Sequence, residues 1–135
     1  MRIGILKADS VRDEFQSEFG DYHGMFQRVF DSVAEGELEY RTYDVLAGDY
    51  PEAIDECDGY VISGSRESVY DDQAWIRQLG NFVITLDEQR KKTVGLCFGH
   101  QLIAHVLGGE TMPAQSGWGV GVHEFKVEFE PPWMP

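Results

Sequence analysis

The chain has 135 residues, the length of one domain. An apolar fraction of 42% supports a packed core and excludes a disordered chain. A formal net charge of -13 argues against nucleic acid and against an anionic membrane surface, so neither is an expected partner; the acidity serves solubility.

The start, MRIGILKADS, has no long apolar run after its basic residue, so no signal peptide is expected, and no stretch reaches transmembrane length. With only two cysteines, Cys57 and Cys97, the expected setting is cytoplasmic and reduced, with free thiols. Arg2 to Ala8 is a β-rich run that reads as a first strand. Ser10 to Glu18 is polar and ambiguous. Tyr22, Met25, Phe26, Val29, Phe30 and Val33 recur at helical spacing and predict a helix over Tyr22 to Val33. Leu38 to Val45 alternates apolar and polar residues and predicts a second strand. Pro51 suits a helix start, which predicts a short helix over Tyr50 to Cys57. Gly59 to Ser63 reads as a third strand.

Trp75, Ile76, Leu79, Phe82, Val83 and Leu86 mark an amphipathic helix, and Arg90, Lys91 and Lys92 suit its C-terminal end. A fourth strand follows around Val94, then a helix over Gln101 to Leu107 stopped by Gly108 and Gly109. Val120 to Phe129 alternates again and predicts a late strand or hairpin, broken by Pro131 and Pro132. Strands alternating with helices give the expected fold class: α/β, three layers, a mostly parallel sheet with helices on both faces. In such sheets, sites form at the carboxyl ends of strands. Two loops qualify: Ser63, Gly64 and Ser65, and the junction at Cys97.

Cys97 stands between Gly95 and Gly99 at G-x-C-x-G spacing, where a buried strand meets a helix. Small residues permit the tight strand-to-helix turn that raises a nucleophile above the sheet. The positive end of the helix favours a thiolate, and its amides can hold an oxyanion. An arbitrary cysteine packs as a small hydrophobe; the flanking glycines and the helix start make Cys97 the expected nucleophile. Cys57 lies in D-E-C-D, where acidic neighbours make it the less reactive thiol. Gln101 lies one helical turn beyond Cys97, and its amide can donate and accept, as an amino-acid head group requires. The Gly64 N–H can complete an oxyanion hole, although a plain turn glycine is an equal reading of that position. His100 and His105 are five apart and do not share a helical face well, and G-V-G-V at Gly119 is too weak for a phosphate loop, so no metal or cofactor is expected.

These residues resemble a family. GLCFGHQ, Gly95 to Gln101, is similar to the nucleophile motif of class I (triad-type) glutamine amidotransferases. GYVISGSRESVYDDQAWI resembles their oxyanion-strand region, with Arg66 where a proline is frequent, and its S-V-Y-D-D and Trp75 pattern is similar to the GMP synthase-like group. GGETMPAQSGWGVGVHEFKV resembles the segment after the nucleophile helix. The resemblance implies a flavodoxin-like domain performing a glutaminase half-reaction. Cys97 attacks the glutamine side-chain amide, Gly64 and the Phe98 N–H stabilise the oxyanion, and ammonia leaves for an acceptor on a separate synthase domain or subunit. Gln101, Ser65, Gly117 and Trp118 are the implied substrate-binding residues.

The resemblance also implies a histidine base in an H-x-E motif well beyond the cysteine. None of His23, His100, His105 or His123 is followed by a carboxylate two positions on. The expectation is therefore an N-terminal portion of such a domain, over residues 1–135, whether a truncated form, a proteolysed product or a gene fragment, with no or very low glutaminase activity. Two alternatives stay open. One is a cysteine hydrolase of the same fold, γ-glutamyl hydrolase or DJ-1-like; the other is a non-catalytic binding or partner module.

Overall fold

A computed structural model of the chain describes residues 1–115 and, beyond them, 117, 119, 121, 122, 124, 126–129, 131 and 132. Four parallel strands form one sheet: β1 (Arg2–Lys7), β2 (Glu39–Asp44), β3 (Gly59–Ile62) and β4 (Lys92–Gly95), in the order β2-β1-β3-β4. The helices are α1 (Asp13–Phe19), α2 (Tyr22–Val33), α3 (Ala74–Glu88) and α4 (Phe98–Val106).

Alternation along the strands builds two cores. Ile3 and Ile5 of β1 and Val61 of β3 point to one face and pack with Phe26 and Phe30 of α2. Leu6, Tyr60 and Ile62 point to the other and pack with Leu79, Val83 and Leu86 of α3 and Phe98 and Leu102 of α4. The expected three layers are therefore present. All strand bonds are parallel, which suits a sheet covered on both faces. Among the described residues, β4 has no strand beyond it, and Val94 is 56% exposed.

Four stretches depart from the sequence reading or were left open by it. The polar stretch after β1 forms α1, which opens with Asp13 and Glu14 in its first turn and buries no residue; a helix without an apolar stripe carries little periodic signal. The helix predicted over Tyr50 to Cys57 is a single 3-10 turn at Ile54–Glu56. Cys57 is already extended there (φ -125°, ψ 148°), because the chain must enter β3 two residues later. The helix predicted from Gln101 starts earlier, at Phe98. In the stretch predicted as a late strand, Val120, His123 and Phe125 lie outside the described residues, and the described ones form no strand.

From β1 the chain goes first to β2 on one side, then to β3 on the other. That reversal opens a crevice at the carboxyl ends of β1 and β3, where ligands bind in sheets of this kind. Residues 8–10 and 63–66 stand at its two lips, with Cys97 beyond β4 next to them.

Candidate active site

Cys97 follows β4 and caps α4. The ladder extends one step past the strand, as the Leu96 N–H donates to the Ile62 carbonyl (3.0 Å), so Cys97 leaves the sheet beside the end of β3. Its backbone has φ 52° and ψ -107°. A non-glycine residue in that region stores roughly 1–3 kcal/mol of strain, and such strain collects at functional sites. The chain closes into α4 at once: the Cys97 carbonyl accepts the Gln101 N–H at 3.0 Å. Cys97 is exposed, whereas Cys57 is buried in the core with its Sγ 3.7 Å from the Tyr43 hydroxyl.

The two flanking glycines are forced by close approach. A Cβ on Gly95 would overlap the Gly99 carbonyl group and the His100 nitrogen. A Cβ on Gly99 would stand 2.6 Å from the Ile62 oxygen. The start of α4 is thus pressed onto β3 and β4 by backbone alone. Phe98 anchors it, buried against Trp75 with ring centroids 5.4 Å apart. The Trp75 indole is itself fixed by donating to Gln73 Oε1 at 2.7 Å.

Gly64 faces this turn. A Cβ on it would lie 3.6 Å from Cys97 Cβ, ordinary contact distance, so the Gly64 backbone stands beside Cys97. Among the described residues, neither the Gly64 N–H nor the Phe98 N–H has an acceptor. A cleft of about 560 Å³ opens beside Cys97, and Ser65, Gln101 and Gly117 also line it. Of the residues predicted for substrate binding, it therefore gathers all but Trp118, which lies outside the described residues. It also exposes Glu67, Tyr70 and Glu110, which sequence reasoning missed. Their only signal was proximity in sequence to the two loops. No Lys, Arg or His is among the described residues of its lining.

The crevice lip is braced by carboxylates. Asp9 accepts from the Arg66 N–H (2.9 Å), Nε (2.9 Å) and Nη2 (2.8 Å) and from the Ser10 N–H (2.8 Å). Burial pushes the Asp9 carboxyl up, but the Arg66 bonds outweigh it and hold it below the usual range. Asp21 caps α2 by accepting from the Tyr22 N–H, and also takes the Val11 N–H and the Lys7 ammonium. Burial again opposes ionisation there, and those donors again win. Both groups are more acidic folded than unfolded. They stabilise the fold above the unfolded carboxylate value of about 4, and that stabilisation is lost as pH falls through their lower folded values. The urea midpoint is expected to hold from pH 7 to about pH 5 and to fall below about pH 4. Asp21→Asn should flatten that fall; an equally steep fall in the variant would sink this account.

The four histidines offer little. His100 is exposed on α4, and His105 Nδ1 lies 2.8 Å from Thr111 Oγ1. His23 is at the start of α2, and His123 lies outside the described residues. Among the described residues no cluster of three or more His, Cys, Asp or Glu could hold a metal ion, and no helix is long and apolar enough to cross a membrane.

The family described as "Glutamine amidotransferase class-I" matches residues 21–130. The chain is 38% identical over 101 residues to gamma-glutamyl peptidase 4 of Arabidopsis thaliana, covering 73% of this chain and 39% of that protein. It is 42% identical over 57 residues to the glutamine-hydrolyzing GMP synthase of Thermomicrobium roseum, covering 42% of this chain and 10% of that one. A glutamine amidotransferase structure from Thermotoga maritima shares the fold, with a TM-score of 0.62 at 20% identity over 80% of this chain and 43% of that chain. The chain thus spans less than half the length of each of these relatives.

Proposed function

The chain belongs to the class I glutamine amidotransferase family, and from that premise we propose that it is the N-terminal, nucleophile-bearing portion of an enzyme that cleaves γ-glutamyl amide bonds. The observation that carries the reading is Cys97: exposed, at φ 52°, on the N-terminus of α4 and against Gly64. In the proposed reaction the Cys97 thiolate attacks the γ-carbonyl carbon, and the oxygen gains charge. The Gly64 and Phe98 N–H groups receive that charge. The C–N bond then breaks, and the amine leaves with a proton. Water hydrolyses the γ-glutamyl thioester, releasing glutamate and the thiol.

The leaving group distinguishes two forms of this reaction. A γ-glutamyl peptide loses an amino-acid amine, and glutamine loses ammonia. We favour the peptide. The cleft of about 560 Å³ lies in the range that holds ligands larger than one amino acid. Glu67, Glu110 and Gln101 in its wall suit the amino-acid head group that both substrates share, so the room beyond it is what favours the peptide. The likeness to a gamma-glutamyl peptidase over most of the chain supports the same form. The likeness to a glutamine-hydrolyzing GMP synthase supports the second reading, ammonia delivery to a synthase partner.

Attack by a thiolate needs no general acid, whereas expulsion of an amine does. No histidine of this chain carries the H-x-E pattern. The chain alone is therefore expected to take up a covalent label yet release little or no ammonia from glutamine. A chloroketone analogue of glutamine tests the reading: Sγ displaces chloride, and peptide mapping locates the label. Cys97 should label at least about 10-fold faster than Cys57. A γ-glutamyl dipeptide should protect it at lower concentration than glutamine. Better protection by glutamine would favour the ammonia-delivering form, and slow, unprotected labelling of both thiols would overturn the proposal.

A further inference from the structure

Gly64 is held from both sides by the end of β1. On its N-terminal side, the Ala8 N–H donates to Ser63 Oγ (2.8 Å), and that hydroxyl donates to the Gly64 carbonyl (2.9 Å). Ser63 is fully buried, so this bridge is sheltered from water. On the C-terminal side stands Arg66, whose backbone N–H and two guanidinium nitrogens all reach Asp9. The Asp9 side chain is only 12% exposed, while that of Arg66 is 63% exposed. Exposed ion pairs contribute little to stability. This one differs, because a nearly buried carboxylate takes a main-chain N–H as well as a two-pronged guanidinium. The two residues are 57 positions apart, so the bond ties one lip of the crevice to the other. A proline at position 66 would supply neither the N–H nor the guanidinium.

An oxyanion donor must be held within about half an ångström to act. With Ser63 and Arg66 both anchored, the short stretch that carries the Gly64 N–H is held at both ends. We infer that Asp9 is a positioning residue for the oxyanion loop: through Arg66 it pins Gly64 against Cys97. This inference rests on the reading of Cys97 as nucleophile and Gly64 as oxyanion donor, and the test separates the two.

Two small reagents distinguish donor placement from thiol reactivity. Acylation of Cys97 by p-nitrophenyl acetate forms an S–C bond, passes through a tetrahedral oxyanion and expels p-nitrophenolate. Alkylation by iodoacetamide forms an S–C bond and expels iodide with no oxyanion. Rates are read on the full chain after subtracting those of Cys97→Ala. Asp9→Ala and Arg66→Ala should each lower acylation by about 10-fold or more, with alkylation changed less than about 3-fold. Asp9→Asn, which keeps an acceptor oxygen for the Arg66 N–H, should fall between. Amide exchange at residues 63–67 should rise by about 10-fold in Asp9→Ala. A merely stabilising ion pair would move both chemical rates together or neither. An unchanged acylation-to-alkylation ratio in both alanine variants overturns the inference, as does unchanged exchange at 63–67. Absence of Cys97-dependent acylation in the parent chain instead overturns the nucleophile reading, and the exchange measurement still decides whether Asp9 pins the loop.

Discussion

Cys97→Gly is expected to abolish covalent labelling at position 97 by the chloroketone while raising the melting temperature. Labelling at position 97 should vanish and total labelling should fall by about 10-fold or more, because the attacking atom is gone and the remaining thiol, Cys57, is buried among core side chains. The gain in stability follows from the backbone. Cys97 holds φ 52° and ψ -107°, where a Cβ crowds its own chain. Glycine adopts that conformation freely, which relieves roughly 1–3 kcal/mol of strain. Against this stands the greater freedom of glycine in the unfolded chain, about 0.5–1 kcal/mol. The remainder, of order 1 kcal/mol, corresponds to a rise of about 3–5 °C for a domain of this size. Calorimetry on the two proteins checks it. A lower melting temperature for Cys97→Gly would mean that the thiol is a packing group and not a strained nucleophile. Strain kept at a reactive residue at the expense of stability is the usual sign of a site built for chemistry.

The strands and the longer helices were legible because their apolar residues repeat at the period of the element that buries them. Tyr22–Val33 is the case in point: Phe26 and Phe30, four apart, meet Ile3, Ile5 and Val61 on one face of the sheet. The elbow was legible for a different reason. Gly95, Cys97 and Gly99 are close in sequence, and the contacts that require the glycines are made within that stretch or to β3 beside it. What could not be read was either unpatterned or remote. Helix α1 buries nothing, so no spacing announced it. The segment from Tyr50 resembles a helix locally, yet the demand to enter β3 leaves it one turn. Asp9 reads as an ordinary acid after a strand. Only the reversal of strand order brings it to Arg66, and local sequence holds no record of that meeting.

Of the substitutions at the elbow, Gly99→Ala is expected to have the largest effect on stability. Gly99→Ala would place a methyl group 2.6 Å from the Ile62 oxygen and 2.7 Å from Ile62 Cβ. Neither is the end of a flexible side chain, so α4 must lift from the sheet. Forced overpacking of this kind destabilises by about 1–3 kcal/mol, and a clash with backbone belongs at the upper end. Lifting α4 also draws Phe98 away from Trp75 and moves Cys97 relative to Gly64, so preferential labelling of Cys97 should be lost as well. Gly36→Ala supplies the control, since a Cβ there meets nothing within 4 Å and the residue does not have positive φ. It should stay within about 0.5 kcal/mol of the parent by urea unfolding. Helix α4 is held on the sheet by the absence of two side chains. If Gly99→Ala retains both the parent midpoint and the Cys97 preference, the turn is not set by backbone contact, and the placement of the thiol loses its physical cause.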